Sequence, residues 1–341
     1  MTTGSPYHIS LFLFTVAFMA LSTLGVSRLP RKWQNAAFVV AAVLGSGGVF
    51  FRYAMNCSFT DGLQLDTLLI QLLQVCNFNF VLLPLMLIPK CEIARQYSVF
   101  FSMFAACTTM FSIPSSLSGY EWHHPIVLNF WFNHVFAIAL PIWMIAAKRL
   151  RPDRKYIPLV SGCVFGYFTL VYLLTEALMA LGVLAPGSSF SYVHDPKGMP
   201  LLTQLYELIG LPYVHLLPVF PILIGFFYLW SMPYTGSVSF ETASGSGRVG
   251  KRYSVIGGEV KLPYGGFIRE GYVLIGWSDV VGGETVVYAP GASFGVSERN
   301  SVLYAVWRKL EQEPAEPVEE LVEEPVIEST ETAEQNDTNN Q

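Results

Sequence analysis

The sequence predicts an α-helical polytopic membrane bundle of about seven helices, followed by a small β module and a disordered acidic tail. Three observations predict it. The chain is 52% hydrophobic and 13% charged, where an average soluble domain is about 25% charged. The apolar residues are gathered in long runs. The composition then changes twice, after Pro233 and again at Glu311. The formal charge of −5 hides this arrangement. From Glu311 onward there is no Lys or Arg but eleven of the twenty-five Asp and Glu residues, so the remainder carries +6 (−5 plus 11).

A membrane span needs about twenty apolar residues. Seven segments qualify: Ile9–Val26, Gln34–Tyr53, Leu65–Ile88, Tyr97–Ile113, Pro125–Ala147, Tyr156–Leu184 and Pro212–Met232. The first is expected to be a retained span. Its basic residues Arg28, Arg31 and Lys32 follow it, whereas a signal peptide carries them in front. Gly45-Ser46-Gly47-Gly48 is a candidate interruption of the second.

Short loops rich in Lys and Arg stay in the cytoplasm. The first loop has Arg28, Arg31 and Lys32, the third Lys90 and Arg95, and the fifth Lys148, Arg149, Arg151, Arg154 and Lys155. The second and fourth have none, and the sixth only Lys197. The N-terminus is therefore expected outside and the C-terminus inside. Arg248, Lys251 and Arg252, soon after the last span, agree. Trp33, Trp122 and Trp230 fall near span ends, where an interfacial belt puts them.

From 236 to 310 the chain alternates in short strands: Ser237–Phe240, Glu259–Pro263, Tyr272–Trp277 and Val302–Trp307. Gly257-Gly258, Gly265-Gly266 and Gly282-Gly283 punctuate them as turns. Residues 311–341 are Glu-, Pro- and Val-rich and then polar. They hold too little apolar surface to fold. The expected division is a transmembrane domain over 1–233, a β module over 236–310 and a tail over 311–341.

Two residues inside the apolar runs carry chemistry. Cys76 in the third span and His134 in the fifth each lie roughly 15 Å deep at about 1.5 Å per residue. A histidine buried in lipid is costly and calls for a reason, and a thiol at the same level supplies one. Glu176 in the sixth span lies at a roughly matching depth and is the acid available to orient the imidazole. Gln74, Asn77 and Asn79 are candidates to orient His134 or to donate to an oxyanion. Glu207 and His215 flank the entry to the last span, where they would line a mouth facing lipid headgroups. The bland alternatives are a small packing cysteine and a histidine that ties helices together. Cys57, Cys76, Cys91, Cys107 and Cys163 form no CxxC pair, which disfavours a disulfide scaffold or a zinc site. Nucleotide-binding loops, metal-ligand clusters and basic grooves are lacking too, so no cofactor and no nucleic-acid partner are expected.

Two resemblances add to this reading. Gly258-x-x-x-Leu262-Pro263, Gly271-Tyr272-x-Leu274-x-Gly276-Trp277, Tyr288-x-Pro290-Gly291 and Leu303-Tyr304-Ala305-x-Trp307 resemble the Listeria–Bacteroides repeat, also called the internalin B-repeat. That resemblance implies a small β-grasp-like fold of bacterial surface proteins, with no enzymatic activity. Its relatives are usually extracellular, in conflict with a seven-span count that puts the module in the cytoplasm. Leu73-Gln74-Val75-Cys76, Pro114, Asn133-His134, Tyr192 and Gly210-Leu211-Pro212-x-x-His215 look like the YwaF family of bacterial integral membrane proteins. Eukaryotic relatives of that family include an acyltransferase that remodels phospholipids, with a proposed Cys and His pair at the places of Cys76 and His134. This chain departs from the family shortly before the cysteine, where a frequent Pro and His are replaced by Leu72 and Gln74.

Two readings follow. The first is a phospholipid acyltransferase of the bacterial cell membrane, acting through a thioester on Cys76, with His134 and Glu176 as partners and with Gln74, Asn77, Asn133 and His215 in binding roles. The second is a non-enzymatic receptor, sensor or transporter-like protein. Membrane lipids are the expected contacts in both, and a protein partner of the β module is the further one.

Overall fold

A computed structural model of the chain describes residues 3–56, 72–111, 117, 119–196 and 199–310. Residues 57–71 of the second loop and third expected span, Pro114, Lys197 and the tail lie outside the described residues.

The first helices are α1 (Pro6–Arg28) and α2 (Arg31–Asn56). Then come α3 (Val75–Leu82), α4 (Glu92–Tyr97) and α5 (Met103–Phe111). The last four are α6 (Pro125–Ala146), α7 (Ile157–Ala180), α8 (Pro200–Ile209) and α9 (Val219–Ser231). Ser5 caps α1 by accepting from the His8 N–H at 3.3 Å. Pro at the start of α1, α6, α7 and α8 suits the first turn, whose N–H has no helical partner to lose. α6 is the central helix, with 67% of its most apolar window buried, whereas 11% of that of α1 is. The exposed face of α1, with Leu13, Phe14 and Leu21, is what a lipid-facing helix presents.

Five helical segments among the described residues are long and apolar enough to cross a membrane: Pro6–Arg28, Arg31–Phe51, Pro125–Ala146, Arg154–Ala180 and Val214–Tyr234. The described residues thus show five of the seven expected spans, and the third and fourth segments make the difference. The described part of the third holds a shorter apolar helix, Val75–Leu87. It turns 3₁₀ over Leu83–Leu87, where Pro84 cannot donate to an α-helical ladder. The fourth runs from Glu92 to Phe111, but Ser98–Ser102 is a buried π-helical turn between α4 and α5. The glycines of α2 do not interrupt it. They bring it close to its neighbours: a methyl on Gly48 would fall 1.8 Å from Asn133 Oδ1, and one on Gly45 2.6 Å from a Leu83 methyl.

The first, third and fifth loops meet at one end of the bundle. Arg149 donates to Asn35 at 3.0 Å and Arg95 to the Arg149 carbonyl at 2.6 Å. Gln96 donates to the Arg151 carbonyl at 3.0 Å and accepts from the Asp153 N–H at 3.0 Å.

The β-rich region follows α9 directly, through one 3₁₀ turn (Met232–Tyr234). Its strands are β1 (Thr235–Glu241), β2 (Ser246–Gly247), β3 (Arg252–Val255), β4 (Glu259–Lys261), β5 (Phe267–Ile268), β6 (Tyr272–Ser278), β7 (Ser293–Gly295) and β8 (Asn300–Lys309). The main sheet has the order β3-β1-β8-β6, with β1 and β8 parallel and the outer pairs antiparallel. The strands β2 and β5 form a small ribbon, and β4 and β7 another. Between β1 and β8 there is no α-helix among the described residues. Trp277 is fully buried among Val238, Phe240, Leu262 and Leu303, and its indole N–H donates to the Pro263 carbonyl at 3.0 Å. The Arg154 guanidinium lies over Tyr228 of α9 at 5.4 Å and over Tyr253 of β3 at 4.4 Å. The β region therefore sits at the end of the bundle where the basic loops meet.

Candidate active site around Cys76

The chain turns at Leu73 and Gln74, and α3 begins at Val75. Cys76 thus stands in the first turn of a helix instead of midway along a straight span. What makes the turn possible comes from elsewhere in the chain. Ser191 Oγ accepts from the Val75 N–H at 2.8 Å and donates to the Leu73 carbonyl at 2.5 Å. Tyr167 donates to the Leu73 carbonyl at 3.0 Å, within reach also of the Leu72 carbonyl at 3.2 Å. Gln74 Oε1 accepts from the Ser191 N–H at 3.4 Å. Ser191 and Tyr192 hold positive φ of 48° and 64°, a left-handed pair that lets the segment fold back onto α3.

Cys76 Sγ lies 3.7 Å from Thr109 Oγ1 on α5. The Thr109 hydroxyl donates to the Ala105 carbonyl at 2.8 Å, so in this contact the thiol is the donor. One turn along α3 from Cys76, the Phe80 ring meets His134 edge-on, with centroids 5.0 Å apart. His134 is buried, 2% exposed. Its Nδ1 faces the Phe130 carbonyl at 2.7 Å. A carbonyl only accepts, so the proton of the neutral ring is on Nδ1 and the lone pair on Nε2. Cys76 is eleven residues from Leu87 and His134 twelve from Ala146, both at the basic end. At about 1.5 Å per residue they lie at one depth, ~17 Å from that end.

The other expected residues are placed as follows. Asn133 is buried against Gly48, and its Oδ1 has no hydrogen-bond partner among the described residues. Asn77 is buried in the first turn of α3, and Asn79 accepts from the Tyr97 hydroxyl at 3.0 Å. Glu176 is engaged away from His134: its Oε1 is 2.7 Å from His194 Nε2. His194 stacks on Tyr172, which stacks in turn on Tyr213. His215 is fully buried, with Nε2 3.0 Å from the Tyr192 carbonyl, so it ties the start of the last span to the Ser191 segment and opens onto no mouth. Burial pushes the Tyr192 phenol up to about 12, which keeps it protonated at neutral pH. Cys57 lies outside the described residues. Among the described residues no group of three or more His, Cys, Asp or Glu side chains could hold a metal ion.

The residues missed by sequence reasoning are Ser191, Tyr167 and Thr109. A serine in a polar loop and a threonine in an apolar run carry no local signal, since their partners are remote in sequence.

A family model matches residues 3–231, and it is that of the TMEM164 family. The chain belongs to the TMEM164 family. This is a family of membrane proteins, and the match covers the whole bundle and ends before β1. The match is to the TMEM164 family rather than to the YwaF family, kinship to which stays a resemblance. No curated protein and no solved structure matches the chain. The TMEM164-family region contains every candidate site residue named above, from Gln74 to His215.

Proposed function

We propose that this chain is a membrane-embedded phospholipid acyltransferase that carries the acyl group as a thioester on Cys76, with His134 as its base. The observation that carries the reading is the packing of α3 on α6, with Cys76 and His134 at one depth and Phe80, one turn from the thiol, against the imidazole. A thiol is a weak nucleophile until a base takes its proton. His134 Nε2 takes it as sulfur attacks the ester carbonyl. The C–S bond forms, the ester C–O bond breaks, and the lysolipid leaves with the proton returned by the imidazolium. An acceptor hydroxyl then gives its proton to His134 and attacks the thioester, and Cys76 leaves as the thiol. The Phe130 carbonyl, on the other ring nitrogen, holds the tautomer, the role that the sequence suggested for Glu176. The first turn of α3 provides a field favourable to negative charge on the sulfur. Gln74, Asn77, Asn133 and His215 line or brace this region.

The basic loops are read as cytoplasmic, which puts the N-terminus outside and the β region inside a bacterial cell membrane. The β region, on its repeat resemblance, is a small partner-binding module. A second, non-enzymatic reading is favoured by two contacts: the thiol already donates to Thr109, and Glu176 already holds His194. Intact-protein mass spectrometry after incubation with mixed phospholipids separates them. Acyl transfer predicts an acyl-sized adduct on the wild type, none on Cys76→Ala and slow formation on His134→Ala. Three folded proteins without an adduct would leave the receptor or scaffold reading.

A further inference from the structure

A groove of about 730 Å³ opens sideways from the bundle between α3, α4 and α7. Small residues hollow it: Cys163 and Gly166 lie on its floor, and a methyl added to Gly166 would meet nothing within 4 Å. Phe78 and Leu82 form one wall, Leu170 and Val171 the other. The two tyrosines that line it turn their hydroxyls elsewhere, Tyr97 to Asn79 and Tyr167 to the Leu73 carbonyl, so it presents carbon. Along α7 it runs from Cys163 to Leu178, ~22 Å at about 1.5 Å per residue. One leaflet of a bilayer is about 15 Å thick in its hydrocarbon part.

The apolar lining and the charge at one end decide the occupant. An acyl chain of one leaflet, with about 15 Å of hydrocarbon, lies within the length of the groove on an apolar surface. At the basic end the groove reaches Cys91, next to the exposed Lys90. Lys90 has no ion-pair partner among the described residues. The neighbouring Glu92 carboxylate is already taken by Arg95 at 3.0 Å and Gln96 at 2.8 Å.

We infer that this groove binds one acyl chain of a glycerophospholipid whose phosphate sits at Lys90. The groove abuts the proposed chemistry, sharing Leu73 and Tyr167 with the turn that positions Cys76, but it does not include the thiol. Phe78 faces the groove, whereas Cys76, two residues earlier and so on the opposite side of α3, faces Thr109.

The test uses the full chain in phosphatidylcholine nanodiscs doped with phosphatidylcholine bearing a mid-chain diazirine. Cross-links are mapped by peptide mass spectrometry after irradiation. Label on Phe78, Leu82 and Val171 is expected to exceed that on Phe14 and Leu21 of α1, which face bulk lipid. Gly166→Phe, which fills the floor, is expected to cut the groove label about tenfold, the factor for ~1.4 kcal/mol. Gly166→Ala is expected to keep it. Leu170→Trp, on the exposed rim, narrows the groove without touching the buried packing and is expected to act in the same direction. The inference is overturned by any of three results: wall label no greater than on α1, label unchanged by both Gly166→Phe and Leu170→Trp, or equal label from a diazirine free fatty acid. A cross-linked dimer through the groove walls would also overturn it.

Discussion

A close approach of two helices offers a sharp test of how the bundle is packed. In α2, Gly47 and Gly48 are neighbours with opposite surroundings. A methyl on Gly47 meets nothing within 4 Å, while one on Gly48 would stand 1.8 Å from Asn133 Oδ1 and 2.4 Å from its Cγ. Asn133 is buried, and the Gly48 carbonyl accepts from Asn129 at 3.1 Å, so two side chains of α6 clamp this one residue. Gly47→Ala should gain helix propensity, up to ~1 kcal/mol. Gly48→Ala makes the same gain but forces α2 and α6 apart, at ~1–3 kcal/mol for overpacking and ~1 kcal/mol for the Asn129 hydrogen bond. The two variants should therefore differ by ~2–4 kcal/mol, with Gly48→Ala the less stable. At about 2–4 °C per kcal/mol, their melting temperatures should be separated by ~4–16 °C. Thermal unfolding in one detergent, followed by the fluorescence of Trp131 and Trp143 on α6, measures this. Gly48→Ala melting at or above Gly47→Ala would refute the close packing of α2 on the turn that carries Asn133 and His134.

Three further perturbations test other links. Ser191→Ala removes the cap of α3 and should cost ~1 kcal/mol; hydrogen exchange over 75–78 should quicken about fivefold while α6 keeps its protection. Arg154→Ala removes both cation–π contacts, ~0.5–1 kcal/mol each, and should speed limited proteolysis near Tyr253 with little change in the melting of the bundle. Trp277→Ala leaves a large cavity in the β core and should cost ~3–5 kcal/mol; circular dichroism should lose its β signal while the helical signal stays.

Much of the architecture was readable from runs and charges. The spans around Val16, Val40, His134, Val171 and Ile224 were legible because each holds enough apolar surface to leave water, whatever its neighbours do. The strands at Ser237, Tyr272 and Val302 were legible from alternation, and Gly257, Gly266 and Gly282 indeed turn the chain with positive φ. The candidate site was legible only in part. Equal depth pointed to Cys76 and His134, but it also pointed to Glu176, whose carboxylate is held by His194. Depth is one coordinate of three, and it says nothing of which way a helix face turns.

Composition and periodicity thus sufficed for five helices long and apolar enough to cross a membrane, for which loops share an end, and for where the helical bundle gives way to strands. Those are properties of each segment alone, since transfer free energy and loop charge are summed locally. Packing decided the rest. Nothing near Gln74 announces a break, because no Pro or Gly is there; the break rests on Ser191, 116 residues away from Val75. Gly48 reads as a flaw in a helix until Asn133 is set against it. Hydrogen bonds and close contacts join residues that are remote in sequence, so their pairing is settled only when the helices have taken their places.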